Sequence, residues 1–280
     1  MQVTLIDANN VAHIARHTTG NLSHNGIPTG VVYGVLRQLL TVGKAVKSDN
    51  YVFCWDSRKS KRRMKYPFYK NRKDVKKTEI EKIELQQMFQ QFNVLKTQIL
   101  PRMGFTNNCI QNGHEADDLI AKLVHSYPSW DFTVVSNDED LYQILGPNCK
   151  IYTKKGIFTE NMFRKKYGIE PKDWAMVKQI AGCRSDKVPG INGVGESRAI
   201  TYITNKMKTS SKFYQAIKAS KDVIERNEYL VKLPLQGTHC PEIDQYEFDL
   251  GNFMTICEVY GFNQFLEDES IEQWSMIFEN

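Results

Sequence analysis

Along the first 150 positions, short apolar runs alternate with longer stretches in which apolar residues recur every three or four places. That is the pattern of an α/β fold with a mostly parallel central sheet flanked by helices. The runs predict strands at Val3–Ile6, Tyr51–Trp55, Phe105–Ile110, Phe132–Val135 and Lys150–Tyr152. Between them the periodicity predicts helices over about 29–46, 76–99, 114–127 and 138–145. Thr29 is placed to cap the first, and the second carries the core-type series Ile80, Ile83, Met88, Phe89, Phe92, Leu95, Ile99. Beyond residue 160 the strand signals fade, and helices are predicted over about 159–167, 171–181, 195–205, 210–219 and 222–232. Lys154-Lys155-Gly156-Ile157-Phe158 reads as a hairpin joining the two parts, and Pro234 to Pro241 as a loop before an acidic final helix and tail. Two domains are therefore expected: an α/β unit over 1–160 and a helical region over 161–280, of which 241–280 is the acidic tail.

Charge changes this picture. All 37 Lys and Arg lie before residue 241 and ten of the 32 acids lie after it, so residues 1–240 carry +15 and the last forty carry −10. A body that basic favours a polyanion, most simply nucleic acid. The segment Arg58 to Lys77 holds eleven Lys or Arg against Asp74 alone, with Tyr66, Phe68 and Tyr69 interleaved, and points to single-strand binding. No apolar stretch reaches the length of a membrane helix and the first residues read as a strand, so a cytoplasmic protein without membrane contact is expected, in a host's cytoplasm if the source is viral. The six cysteines are scattered, unlike a disulfide scaffold or zinc ribbon. His13 and His17 share a helix face but have no third ligand nearby, which weighs against a metal there.

Three predicted strands run into aspartates: Asp7, Asp56 and Asp138, with Asp140 two residues further. In a parallel sheet these converge on the crevice beyond the strands' carboxyl ends. Glu115 and Asp118 join them at the start of a helix, three apart on one face. Any one alone reads as a cap or turn acid; six at one edge repel each other unless hard cations such as Mg²⁺ or Mn²⁺ neutralise them. An acidic pocket on a basic body points to phosphodiester hydrolysis. Downstream, Val188-Pro189-Gly190-Ile191-Asn192-Gly193-Val194-Gly195 precedes a helix, with Asp186 just before it, and fits a helix-hairpin-helix phosphate clamp.

With Gly113-His114-Glu115-Ala116-Asp117-Asp118, Asn137-Asp138-Glu139-Asp140-Leu141-Tyr142-Gln143, then Ser185-Asp186 and the glycine turn, the chain resembles the 5′-nuclease family over roughly residues 2–205. That family includes bacteriophage flap endonucleases and 5′-exonucleases and the N-terminal nuclease domain of bacterial DNA polymerase I. The resemblance implies a PIN-like 5′-nuclease fold with a helical arch over about 70–100 and a helix-hairpin-helix (helix-three-turn-helix) over about 182–205. It implies 5′-3′ exonuclease and 5′-flap endonuclease activity in replication or repair, by attack of metal-activated water that leaves 5′-phosphates. One Mg²⁺ would be held by Asp7, Asp56, Glu115, Asp117 and Asp118 and a second by Asp138, Asp140 and Asp186, with Mn²⁺ as a substitute and K⁺ at the helix-hairpin-helix.

By the same resemblance Lys70 and Arg72 contact the scissile phosphate, Arg62 lies where an upstream basic residue is usual, with Arg63 an equal candidate, and Tyr69 stacks near the flap base. DNA contacts are expected from Arg63, Lys65, Lys73, Lys76, Lys77, Gly190, Gly193, Gly195, Ser197 and Arg198. Partners would be DNA with 5′ flaps or ends, including RNA–DNA primers, bound by a monomer. Two departures stand out. The family's Gly-Asp-x-Ser-Asp-Asn is here Gly182-Cys183-Arg184-Ser185-Asp186-Lys187, a thiol at a usual Asp position. The family's Arg seven residues after the first Asp is Ile14, with Arg16 nearby. A catalytically weakened junction-binding protein and a related-fold ribonuclease are the alternative readings. For the acidic tail four readings stay open: packing on the helical region to shield basic surface, repelling DNA locally, docking a basic replication partner, or a solvated terminal helix with none of these roles.

Overall fold

The computed structural model describes residues 1–71 and 78–279. In chain order its elements are β1 (Gln2–Asp7), α1 (Ala8–Thr19), the short pair β2 (Ser23–His24) and β3 (Ile27–Pro28), α2 (Gly30–Ala45), β4 (Asn50–Cys54), α3 (Lys61–Lys65), α4 (Glu79–Val94), α5 (Leu100–Arg102), β5 (Asn108–Cys109), α6 (Ala116–Ser126) and β6 (Asp131–Val135). Then come β7 (Cys149–Thr153), β8 (Gly156–Phe158), α7 (Glu160–Tyr167), α8 (Trp174–Ala181), β9 (Gly182–Cys183), β10 (Val188–Pro189), α9 (Glu196–Ile203), α10 (Lys212–Ala219), α11 (Lys221–Val231), α12 (Leu250–Tyr260) and α13 (Asp268–Phe278).

The central sheet has the order β5-β4-β1-β6-β7-β8, parallel except for β8, which returns antiparallel on β7. Its strands alternate sides as the pleat requires: Tyr51 and Phe53 of β4 enter one core, with α1, α2 and α4, while Val52 and Cys54 enter the other, with α6, α7 and α8. Asp7 lies opposite Cys54, and Ile6 opposite Val135. The three central strands therefore stop together, and the segments leaving them meet at one edge.

Several expectations are corrected. The strand over 105–110 shrinks to Asn108–Cys109, because Phe105 leaves the sheet to stack on Tyr246 at 5.3 Å. The helix over 138–145 is a 3-10 turn, Glu139–Ile144. Thr29 sits before α2 but makes no capping bond; the buried Gln91 of α4 does so instead, its Oε1 accepting the N–H groups of Val31 (2.9 Å) and Val32 (3.3 Å). α1 was not among the predicted elements, although Ala8, Val11, Ala12 and Ala15 bury one helical face.

The largest correction concerns the acidic tail. It forms two helices whose inner face is fully apolar: Phe253, Ile256, Cys257, Trp274 and Phe278 are buried with Tyr51 and Phe53 of the sheet. The last forty residues thus pack on the α/β unit, not on the helical region, because aromatic side chains of this size dominate burial whatever the charge of the opposite face. Among the described residues no helix is long and apolar enough to cross a membrane.

Candidate active site

The common strand edge opens on a cleft of about 920 Å³, lined by Asp7, Asp56, Asp117, Asp138 and Asp186 among others. Three of these acids are aimed by main-chain N–H groups. Asp7 caps α1, accepting the Asn10 N–H at 3.0 Å, and its other oxygen accepts Ser136 Oγ at 2.9 Å. Asp56 accepts the Ala116 N–H at 2.9 Å, tying the end of β4 to the start of α6, whose first turn carries Asp117. Asp138 opens the 3-10 turn and accepts the Asp140 N–H at 2.8 Å.

Burial and neighbouring carboxylates raise three of these four acids. Burial, then Asp56 and Asp138, push Asp7 up to about 7. Asp117 is driven well above the usual carboxylate range by burial and by Asp138 and Asp7, and Asp56 is raised by desolvation against the pull of Lys70. Among the described residues none of the four makes an ion pair within 4.0 Å. An all-oxygen set that crowds negative charge with no internal partner fits a hard divalent cation.

A second group lies beside it. Asp140, Cys183 and Asp186 offer three ligand atoms within 4.8 Å of one another. Here the charge is already answered: Lys178 Nζ lies 3.4 Å from Asp140 and 3.0 Å from Glu196, and Lys70 Nζ lies 3.6 Å from Asp186 and 3.0 Å from Glu115. Burial and Asp138 still push Asp140 up to about 6, and burial pushes the Cys183 thiol up to about 11. Cys183 Sγ lies 3.0 Å from Ser185 Oγ. A neutral thiol between two paired carboxylates is a mixed donor set, poorer for Mg²⁺ than the first group.

Three residues assigned to the cleft lie behind it. Asp118 is fully buried and takes both ends of the Arg62 guanidinium, at 2.6 and 2.8 Å, while its oxygens also accept the N–H groups of Glu115 and Leu235. Both depart from expectation: every acceptor direction of Asp118 points at protein, and the guanidinium of Arg62, 1% exposed, faces Asp118 behind the cleft lining. Tyr69, expected to stack at the flap base, is 3% exposed, and its hydroxyl donates to Glu115 at 2.9 Å. Glu115 is engaged by Ser60, Tyr69 and Lys70; against its burial, Lys70 and Arg62 hold it below the usual range.

Lys70 does reach the cleft. Its backbone adopts φ +47°, a strained setting for a lysine, and its N–H donates to the Asp186 carbonyl at 2.9 Å, so the basic segment is latched to the turn that carries Asp186. Arg63 also lines the cleft, whereas Lys65 lies on the Tyr229 ring at 4.1 Å. Arg72, Lys73, Lys76 and Lys77 lie outside the described residues. Gly190, Gly193 and Gly195 form the turn between the β9–β10 pair and α9; a side chain at Gly190 would meet the Ala181 carbonyl at 2.1 Å. Ser197 and Arg198 are exposed at the start of α9, with Arg198 donating to the Gly193 carbonyl and resting on Phe213. Arg16 pairs with Glu84 at 3.4 Å, outside the cleft lining.

Sequence reasoning missed Asn9, Asn10, Asn93 and Lys96 of the cleft lining, named His13 and His17 only as a pair lacking a third metal ligand, and placed in the core Phe89, which lines the cleft at 56% exposed. The alanine spacing of α1 was the available signal. It also missed Lys178, whose partner Asp140 is 38 positions away.

Residues 2–168 match the family model described as the 5′-3′ exonuclease, N-terminal resolvase-like domain. The chain is 31% identical to a 5′-3′ exonuclease of Aquifex aeolicus, over 74% of this chain and 73% of that protein. In fold it is similar to the 5′-exonuclease of bacteriophage T5 with bound divalent metal ions (zinc), at TM-score 0.71 and 19% identity over the whole of both chains. It is also similar to a bacteriophage T5 flap endonuclease in a pseudo-enzyme-product complex with DNA and metal ions, at TM-score 0.70 and 19% identity, over 97% of this chain and 100% of that one.

Proposed function

The chain belongs to the 5′-3′ exonuclease family, and on that premise we propose that its cleft hydrolyses DNA phosphodiesters at 5′ ends and at the base of 5′ flaps, with Mg²⁺ as the working ion and Mn²⁺ as a substitute. The observation that carries this reading is the meeting, in one cleft with the Lys70 ammonium, of four carboxylates that have no ion pair among the described residues, Asp7, Asp56, Asp117 and Asp138. These acids would hold the first ion, and Asp138, Asp140 and Asp186 a second, weaker one. Bound cations would supply the charge that activates water and stabilises the attacking and leaving oxygens.

The chain's own residues do the rest. Ser136 and the Asn10 N–H keep an oxygen of Asp7 turned to the cleft, and the Ala116 N–H does the same for Asp56. Lys70, steadied between Glu115 and Asp186, presents its ammonium to the scissile phosphate. Arg58, Arg63 and Lys96 line the same cleft and hold the strand's other phosphates. Described residues of the expected arch, 78–100, guide the single strand. The main-chain N–H groups of the glycine turn and the start of α9 take the duplex backbone, with K⁺ on the turn. Removal of RNA primers would use the same site, and the protein acts as a monomer.

The test is an end-labelled 5′-flap DNA incubated with the protein in Mg²⁺, in Mn²⁺ and in EDTA, resolved on a denaturing gel. Metal-dependent cuts near the junction are expected. A flap bound yet intact in both metals would replace this reading with that of a junction-binding protein.

A further inference from the structure

Tyr69 cannot stack on a base while its ring is buried and its hydroxyl holds Glu115, yet the cleft does present an open phenyl face. Phe89 of α4 is 56% exposed and lines the same cleft as the acids. It is braced from behind: Phe92, 6% exposed, meets it edge-on at 5.7 Å, and His13 meets Phe92 edge-on at 5.5 Å. The helix beneath is fixed, because Gln91, between the two rings, caps the start of α2. A rigid, solvated phenyl ring in a polar cleft is an unfavourable use of apolar surface unless something flat covers it.

What covers it is set by its neighbours. One turn and more along the same helix run come Asn93 and Lys96, and no carboxylate of this run lines the cleft; Arg58 and Arg63 complete the basic rim. An aromatic face next to cationic side chains is the pairing that takes a base on its π-face and the adjoining phosphates on the charges. Resting on the nuclease reading above, we propose that Phe89 is the stacking platform for an unpaired base of the 5′ single strand, the position the resemblance gave to Tyr69. The stack would hold the strand on the basic wall, so that the phosphate beside that base faces Lys70 and the acids.

The test is a set of flap DNAs, one natural and the others each carrying a single abasic nucleotide along the 5′ arm. Their affinity is read by fluorescence anisotropy in EDTA, where no cutting occurs, for wild type, Phe89→Ala and Phe89→Trp. Loss of one stack should weaken the natural flap about tenfold in Phe89→Ala. That penalty should fall below about twofold at one abasic position, and Phe89→Trp should retain wild-type affinity. A penalty that persists at every abasic position, or no penalty at all, would overturn the proposal, since a merely structural role is blind to the missing base. The nuclease reading fails separately: the stacking pattern in EDTA with no cleavage in either metal would keep Phe89 and sink the hydrolysis.

Discussion

The two acid groups of the cleft share Asp138 as a neighbour but balance their charge in opposite ways. Asp7, Asp56 and Asp138 are oriented by hydrogen bonds, and among the described residues neither they nor Asp117 has an ion pair, so their mutual repulsion is left standing. Asp140 and Asp186 each face an ammonium, and the third member of their group is a thiol. The first group is built to be completed from outside, whereas the second is largely completed from within. The difference teaches how to read an acidic cleft: the count of carboxylates says less about where an ion is held than the count left without a cation.

The largest effect should come from the first group. Asp117→Asn removes an unpaired carboxylate and is expected to lower kcat about a thousandfold, the loss of several kcal/mol of charge stabilisation, with flap binding in EDTA kept. Its neighbour makes the contrast. Asp118→Asn breaks a buried pair with Arg62 and should cost about 3–5 kcal/mol of stability, seen as a melting temperature lower by about 10 °C. Should Asp117→Asn melt early while Asp118→Asn melts normally and loses only kcat, the division between ligand and support is reversed.

Lys70 belongs to both groups, through Asp186 and through its pull on Asp56 and Asp117. Lys70→Ala should slow cleavage about a hundredfold and make log affinity less steep in log salt by about one phosphate. An unchanged salt slope would make Lys70 an internal counter-ion that never meets DNA.

Part of this arrangement was legible in the sequence and part was not, for a physical reason. Asp7, Asp56 and Asp138 could be placed together because a parallel sheet of apolar runs fixes where strands end, and the glycine turn could be placed because Gly190, Gly193 and Gly195 are closely spaced just before a helix, with Asp186 ahead of them. The pairing of Arg62 with Asp118 crosses 56 positions and that of Lys178 with Asp140 crosses 38, and periodicity carries no information about such partners. The same limit hid the cap supplied by Gln91. The tail misled because its charge was counted and its aromatic spacing was not: Trp274 and Phe278 lie four apart on the inner face of α13.

The third prediction concerns pH. The carboxyls of Asp7 and Asp140 titrate near 7 and 6 in the folded protein, against about 4 when unfolded. Between those values the folded state binds more protons than the unfolded one, so without metal the protein should lose stability as pH rises from about 4 to 7. A divalent ion that binds the ionised first group reverses this. Saturating Mn²⁺ should raise the melting temperature by about 5 °C at pH 8 and by little at pH 5. Equal rises at both pH values would mean that the ion binds elsewhere.

The smallest effect tests the comparison at its weak side. Cys183→Asp turns the second group's mixed donors into oxygens, and because Lys178 keeps Glu196 at 3.0 Å it can leave Asp140 without losing its own partner. The substitution should therefore tighten Mg²⁺ in the second group, lowering the Mg²⁺ concentration for half-maximal cleavage about fivefold while the Mn²⁺ requirement moves less, since Mn²⁺ tolerates softer ligands better than Mg²⁺ does. Adding Lys178→Met should extend the gain, for it takes away the competing ammonium and leaves the four acids of the first group untouched. If neither change alters the Mg²⁺ requirement, the second group takes no ion that limits the rate, and its lysines are the cations it works with.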